Sequence, residues 1–135
     1  MNKNLLLVGS IAGMLAVMIG AFGAHGLEGK VTPSQLSAYE TGVQYHFYHT
    51  FAIFIAGWLA VHFQNTIFKR AGWFFVAGLV CFSGSLYLLG TRSILGIESW
   101  AKILGPITPI GGVFFIIGWG LLAFGIAKIN SADKT

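Results

Sequence analysis

Histidine, tyrosine, glutamine and one glutamate gather in Gln35 to Thr50, QLSAYETGVQYHFYHT, within a chain otherwise made of apolar runs. Read as a helix, Gln35, Tyr39, Gly42, His46 and His49 stand at i, i+4, i+7, i+11 and i+14 and share one face. Glu40 and Tyr45 flank that face. The segment passes without a breaker into Phe51-Ala-Ile-Phe-Ile-Ala-Gly-Trp58, a lipid-compatible run. Ionisable groups carried to the edge of a bilayer are expensive, and by default they mark a site. His46 and His49, at i and i+3, with His25 and Glu40 nearby in sequence, could offer nitrogen and oxygen ligands to a zinc-like ion. His25 and His49 on facing helices at one depth could hold a haem. Ser83 and Ser85, in Phe82-Ser-Gly-Ser-Leu86, are the candidate nucleophiles.

Each of these has a plainer alternative. The histidines lack the His-Glu-x-x-His pattern, and Phe82 to Leu86 lacks the strand-to-helix setting of a nucleophile elbow. Serines within spanning helices more often bond a backbone carbonyl or a neighbouring helix. Proton-linked transport calls for an acid deep in a span. Glu28, Glu40 and Glu98 all fall in connections, which confines a transporter or channel reading to a re-entrant or outer-vestibule site. Two readings take in the whole polar group. In one, His25, Glu40, Tyr45, His49, Arg92 and Thr108 bond to each other and clasp the connections over the bundle. In the other they line a pocket for a lipid headgroup or amphipathic metabolite, with Arg92 for an anion and Tyr45 and Tyr87 for the apolar part. Arg92 is expected to pair with Glu40. His49 is expected to be more buried than His46, with a partner near His25 or from Glu40. Neither reading requires a cofactor.

The elements that must position these groups are membrane spans. At 135 residues the chain fits one domain, and with 56% hydrophobic and 9% charged residues it falls far from the roughly 25% charged of soluble domains. A net charge of +4 scattered between apolar runs reads as topology and headgroup signals, not as a nucleic-acid surface. Cys81 stands alone in an apolar run, which leaves no disulfide framework. The expected fold is an all-α bundle of four transmembrane helices, at about 5–24, 45–63, 71–89 and 108–127. An amphipathic interfacial helix lies between the first two and bends near Gly42 into the second. Thr32-Pro33-Ser34-Gln35 reads as its start, with Thr32 capping and Gln35 completing a capping box. Thr108-Pro109 reads likewise as the start of the fourth span. Gly9, Gly13, Ala16, Gly20 and Gly23 form one close-packing stripe, and Gly111, Gly118 and Gly125 form another. They suit packing within the chain or the seam of a homo-oligomer, with membrane lipids as the other partners. Lys3, Lys69, Arg70, Lys128 and Lys134 fall on one side and Lys30, Arg92 and Lys102 on the other, which places both termini in the cytoplasm.

Four segments in this order, GAFGAHGL (Gly20 to Leu27), YETGVQYHFYH (Tyr39 to His49), FSGSLYLL (Phe82 to Leu89) and GPITPIGG (Gly105 to Gly112), resemble the small bacterial membrane family known as domain of unknown function 423. Eukaryotic transmembrane protein 256 is a relative. The resemblance spans nearly the whole chain and implies an inner-membrane protein with four spans and no assigned activity. It also implies that His25, Tyr45, His49, Ser83, Ser85, Tyr87, Pro106, Thr108 and Pro109 belong to the family signatures. His46 departs from them, since glutamine is common at its position, and this weakens any scheme needing His46 as a ligand or base.

Overall fold

The computed structural model describes residues 3–130. It is all-helical: α1 (Asn4–Phe22), a π-helical turn (Gly23–Leu27), α2 (Pro33–Phe63), α3 (Thr66–Leu95), a 3-10 turn (Glu98–Trp100) and α4 (Ala101–Ala127). Lys134, one of the charges used for orientation, lies outside the described residues. Three stretches, Asn4–Leu27, Thr66–Leu95 and Glu98–Ala127, are long and apolar enough to cross a membrane. The fourth long helix, α2, carries the polar segment in its first half.

Local chemistry sets the helix starts. At α2 the Gln35 amide donates to Thr32 Oγ1 (3.2 Å) while the Thr32 amide donates to Gln35 Oε1 (2.9 Å), with Pro33 at the first position. These bonds satisfy donors that a helix start leaves unpaired. Asn65 caps α3 through its side chain on the Ile67 amide. Two expected boundaries differ. The stretch from Pro33 is one continuous 31-residue helix, not an interfacial helix followed by a span. Thr108 is not a cap, because α4 already runs from Ala101 and holds Pro106 and Pro109 in its interior. Neither proline can donate to the carbonyl four residues back, at Lys102 and Gly105. Such interruptions are tolerated in apolar helices where neighbours satisfy the freed groups.

Consecutive helices pack antiparallel, and glycines set how closely. Gly111, Gly118 and Gly125 face Phe82, Phe75 and Phe68, so two seven-residue repeats interlock along α3 and α4. A methyl at Gly118 would sit 2.7 Å from the Phe75 ring. Phe115 returns the contact against Gly78, and Phe68, Phe75 and Phe115 are core residues. The α1 stripe faces α2: Gly9 meets Ile53 and Phe54, Gly13 meets Thr50, Gly20 meets Val43 and Phe47, and Gly23 meets Tyr39. Leu5 plugs the far end, against Gly57 and Gly72.

This register has a consequence for depth. The apolar length of α1 lies beside Tyr39 to Gly57, and the midpoint of α1, Gly13, faces Thr50. The midpoint of α2 falls at Tyr48. The histidines therefore lie at mid-height of the bundle, not at its edge.

Candidate functional site

The face read from spacing is the buried face of α2: Gln35, Tyr39, Gly42, His46 and His49 are all buried. Gln35 reaches Ser93 Oγ on α3 (3.0 Å), and the Tyr39 hydroxyl donates to the Ile19 carbonyl of α1 (2.5 Å). Tyr39 also packs its ring near that of Tyr87, with centroids 5.2 Å apart. These contacts pin the end of the bundle that carries Lys30.

His49 is fully committed. Trp119 Nε1 lies 3.2 Å from its Nε2, and the indole N–H can only donate, so Nε2 accepts. The ring proton is then on Nδ1, which donates to the Tyr45 carbonyl at 2.8 Å. The imidazole stacks on Phe115 with centroids 3.4 Å apart and planes 7° off parallel. Its partners come from α4 and its own helix, not from His25 or Glu40. Burial does not separate the two histidines, since His46 is 2% exposed and His49 4%.

His46 is committed on one side only. Its Nδ1 lies 2.7 Å from the Tyr87 hydroxyl. Ser83, one turn earlier on α3, gives its proton to the Gly42 carbonyl (2.8 Å), and Thr50 gives its own to the His46 carbonyl (2.8 Å). Tyr87 donating to Nδ1 leaves the histidine proton on Nε2, whereas in the reverse tautomer the phenol proton turns to Ser83 Oγ. Nε2 makes no hydrogen bond of ordinary geometry, although the Ala12 carbonyl of α1 lies toward it. It is the one such buried side-chain atom among the described residues.

The remaining candidates fall into separate places. Ser85 Oγ and Thr108 Oγ1 are 2.6 Å apart, joining α3 to α4 beside the proline interruption. Tyr45 is 37% exposed, with its ring 4.6 Å from that of Phe82. Arg92 pairs with Glu98 at 3.2 Å and donates from its guanidinium to the Leu89 carbonyl at 2.7 Å. That overturns the expected pair with Glu40, which is exposed and makes no ion pair among the described residues. The connection after α3 brings Glu98 back within reach of Arg92 by a local turn, and a local partner is the easier one to order. His25 is exposed on the π-helical turn, so it does not share a depth with His49. The expected outer clasp is thus replaced by a polar belt inside the bundle, built from His46, His49, Ser83, Ser85, Tyr87, Thr108 and Trp119. Among the described residues, no three His, Cys, Asp or Glu side chains gather as a metal site would. Sequence reading missed Trp119, whose signal was weak because tryptophan in an apolar run is ordinarily read as a lipid-facing anchor.

Two apolar spaces border the belt. Toward the Lys30 end, Ile19, Phe22, Tyr39, Tyr87, Thr91 and Ile94 are among the residues around a groove of about 270 Å³. Nearer mid-height, a cleft of about 200 Å³ opens between α1, α2 and α3, and His46 is its single polar side chain.

The comparisons find relatives that are named as membrane proteins. The pattern of the family described as "Protein of unknown function (DUF423)" matches residues 19–112. The UPF0382 membrane protein YwdK of Bacillus subtilis is 45% identical over 127 residues, covering 93% of this chain and 98% of that protein. UPF0382 membrane proteins of Staphylococcus aureus (SAB0533) and Staphylococcus epidermidis (SERP0230) are 43% and 40% identical, each over 93% of this chain and 97% of the relative. No solved structure matches. With that coverage and three long apolar helices, the chain belongs to the DUF423 family of membrane proteins of unknown function.

Proposed function

We propose that this is a four-span, non-enzymatic membrane protein that binds a lipid or small amphipathic partner between its helices, with both termini in the cytoplasm. Reading α2 as a span is supported by its register, since the apolar length of α1 runs beside Tyr39 to Gly57. The orientation rests on Lys3, Lys69, Arg70 and Lys128 at one end of the described bundle. Lys30, Arg92 and Lys102 lie at the other with Glu28, Glu40 and Glu98, and Arg92 there is paired with Glu98. A binding role is favoured over catalysis because Ser83 and Ser85 bond to Gly42, Phe82 and Thr108, and neither hydroxyl is bonded to a histidine.

The observation that carries the reading is the apolar cleft between α1, α2 and α3, whose rim of Ile11, Leu15 and Val80 is exposed on the lipid side. Native mass spectrometry of the detergent-extracted protein is expected to show a retained lipid-soluble adduct at one per chain. Bare protein under gentle extraction would overturn the reading, and a doubled mass would identify a second copy as partner. For orientation, a cysteine at position 30 in a Cys81→Ser background is expected to label from outside; labelling from the cytoplasmic side alone reverses the topology.

A further inference from the structure

α1 packs on one side of α2 and α3 on another, while a third side of α2 carries no helix among the described residues. Along that side Thr41, Gln44, Tyr48, Phe51, Ile55 and Trp58 follow at alternating spacings of three and four, the heptad spacing of a left-handed helix pair. All but Thr41 are exposed, Tyr48 by 53% and Phe51 by 63%. The glycines of α1 and α4 are taken up inside the chain, against α2 and α3.

The apolar members of this stripe are at home in lipid, and two polar members are not. Tyr48 is the midpoint of α2, and Gln44 lies about 6 Å from it along the axis. Gly20 of α1 faces Val43 and Phe47, so both groups lie beside the apolar length of α1, inside a hydrocarbon core about 30 Å thick. Ser10 and Thr41 return their hydroxyl protons to their own helix, at the Leu6 and Ser37 carbonyls. Gln44 and Tyr48 instead bond to each other, with Gln44 Nε2 donating to the Tyr48 hydroxyl oxygen at 2.7 Å. A phenol gives a proton as well as accepting one, and an amide oxygen accepts. The single bond between them therefore leaves the Tyr48 proton and the Gln44 carbonyl to be satisfied, and hydrocarbon offers nothing to either.

What these two groups need is their own arrangement met across a two-fold axis. Two copies inserted with one topology hold α2 parallel and at one depth, so an axis along the membrane normal brings stripe to stripe in register. In heptad packing the side chain at 44 enters a hole made by positions 41, 44, 45 and 48 of the facing helix. The Tyr48 hydroxyl of each copy can then donate to the Gln44 carbonyl of the other, while each amide keeps its bond to Tyr48 of its own chain. Lipid tails have no such groups, and phospholipid esters lie at the edge of the core. Glu40 is exposed one position off the stripe, at the level where α1 ends, and stays among the headgroups.

We propose that α2 pairs with α2 of a second copy of this chain through this stripe, with Gln44 and Tyr48 as a reciprocal polar lock. The inference rests on the reading of α2 as a span. It is independent of what fills the cleft, which His46 and Ile53 line from the opposite face of the helix.

The test uses the full chain with Cys81→Ser in phosphatidylcholine vesicles at high lipid excess, oxidised with copper phenanthroline. Phe51→Cys and Ile55→Cys are each expected to cross-link to a doubled mass on a denaturing gel. Ile116→Cys, on the lipid-facing side of α4 and 71% exposed, is expected to stay single. Equal cross-linking at all three positions is random collision and overturns the proposal, as does none at 51 and 55. A membrane-impermeant maleimide separates the two kinds of failure. With position 51 shielded, a missing cross-link sinks the pairing alone; with position 51 labelled from water, α2 is not a span and the four-span reading falls with it. Resonance energy transfer between labelled copies, followed as the vesicles are diluted with lipid, reads the lock itself. Gln44→Leu should weaken pairing about tenfold, the worth of two hydrogen bonds between membrane helices. Tyr48→Phe should weaken it as much, and the double variant no further, because both remove the same bonds. Both side chains are exposed, so the fold should tolerate these changes. Parent-like pairing by Gln44→Leu would overturn the lock.

Discussion

The seam between α3 and α4 and the seam along α1 are both built on glycine, and they end in different states. On α4 the glycines at 111, 118 and 125 receive the rings of Phe82, Phe75 and Phe68, and the backbones close until no further atom fits. On α1 the glycines at 9, 13 and 20 meet side chains of α2, not backbone, at 3.2–3.4 Å from where a Cβ would lie, and only Gly23, against the Tyr39 ring, is as tight as the α4 glycines. The histidines divide along the same line. His49, on the α4 side, has both ring nitrogens bonded; His46, on the α1 side, has one. A repeat of small residues therefore does not by itself say how tightly two helices close. The facing atoms decide, and the approach is closest where backbone meets backbone, as Gly111 meets Phe82.

The largest test of this contrast is a single methyl. Gly111→Ala would drive a Cβ into the Phe82 backbone and is expected to destabilise the bundle by about 2–3 kcal/mol. Gly13→Ala meets only the Thr50 methyl at 3.4 Å and should be neutral or slightly stabilising, by up to about 0.5 kcal/mol. Thermal unfolding in detergent measures both; equal losses would erase the distinction between the seams. Trp119→Phe comes next. It removes the donor to His49 Nε2 and should cost about 1 kcal/mol, while ¹⁵N NMR shows the His49 tautomer no longer fixed. An unchanged ring signal would mean that the indole does not set the proton. The smallest effect belongs to the Lys30 end. Arg92→Gln and Glu98→Gln should each cost under about 1 kcal/mol, as their pair is partly exposed, and their double mutant should lose less than the sum. Arg92→Gln with Glu40→Gln should simply add. Coupling between those two would restore the pair the sequence had led us to expect.

Much of the site was readable from spacing. The five residues of the α2 face are all buried because their helical period is local information. Depth was not readable in the same way. The apolar run after Tyr45 looks like the start of a span, yet what fixes the height of His46 and His49 is the pairing of Gly13 with Thr50 and Gly23 with Tyr39, contacts between distant parts of the chain. Thr108-Pro109 misled for a related reason. Its sequence is that of a helix start, and only the helical run from Ala101 to Ile107 ahead of it, anchored by buried Leu104, makes it an interior turn. Arg92 had two acids to choose from, and sequence alone does not show that the turn at Glu98 wins.

The uneven apolarity of the four helices bears on how the protein is made. Alone in hydrocarbon, α2 would carry two imidazoles and a glutamine amide with bonds left unmade, at a cost that favours staying in water or at the surface. The groups that satisfy it are Tyr87 and Ser93 on α3 and Trp119 on α4, which leave the ribosome later. Commitment of α2 to the bilayer thus waits for α3. The insertion machinery must hold the first hairpin until the second is ready, and in a chain truncated after Phe63 a cysteine at position 57 should stay reachable by a membrane-impermeant thiol reagent, whereas in the full chain it should be shielded.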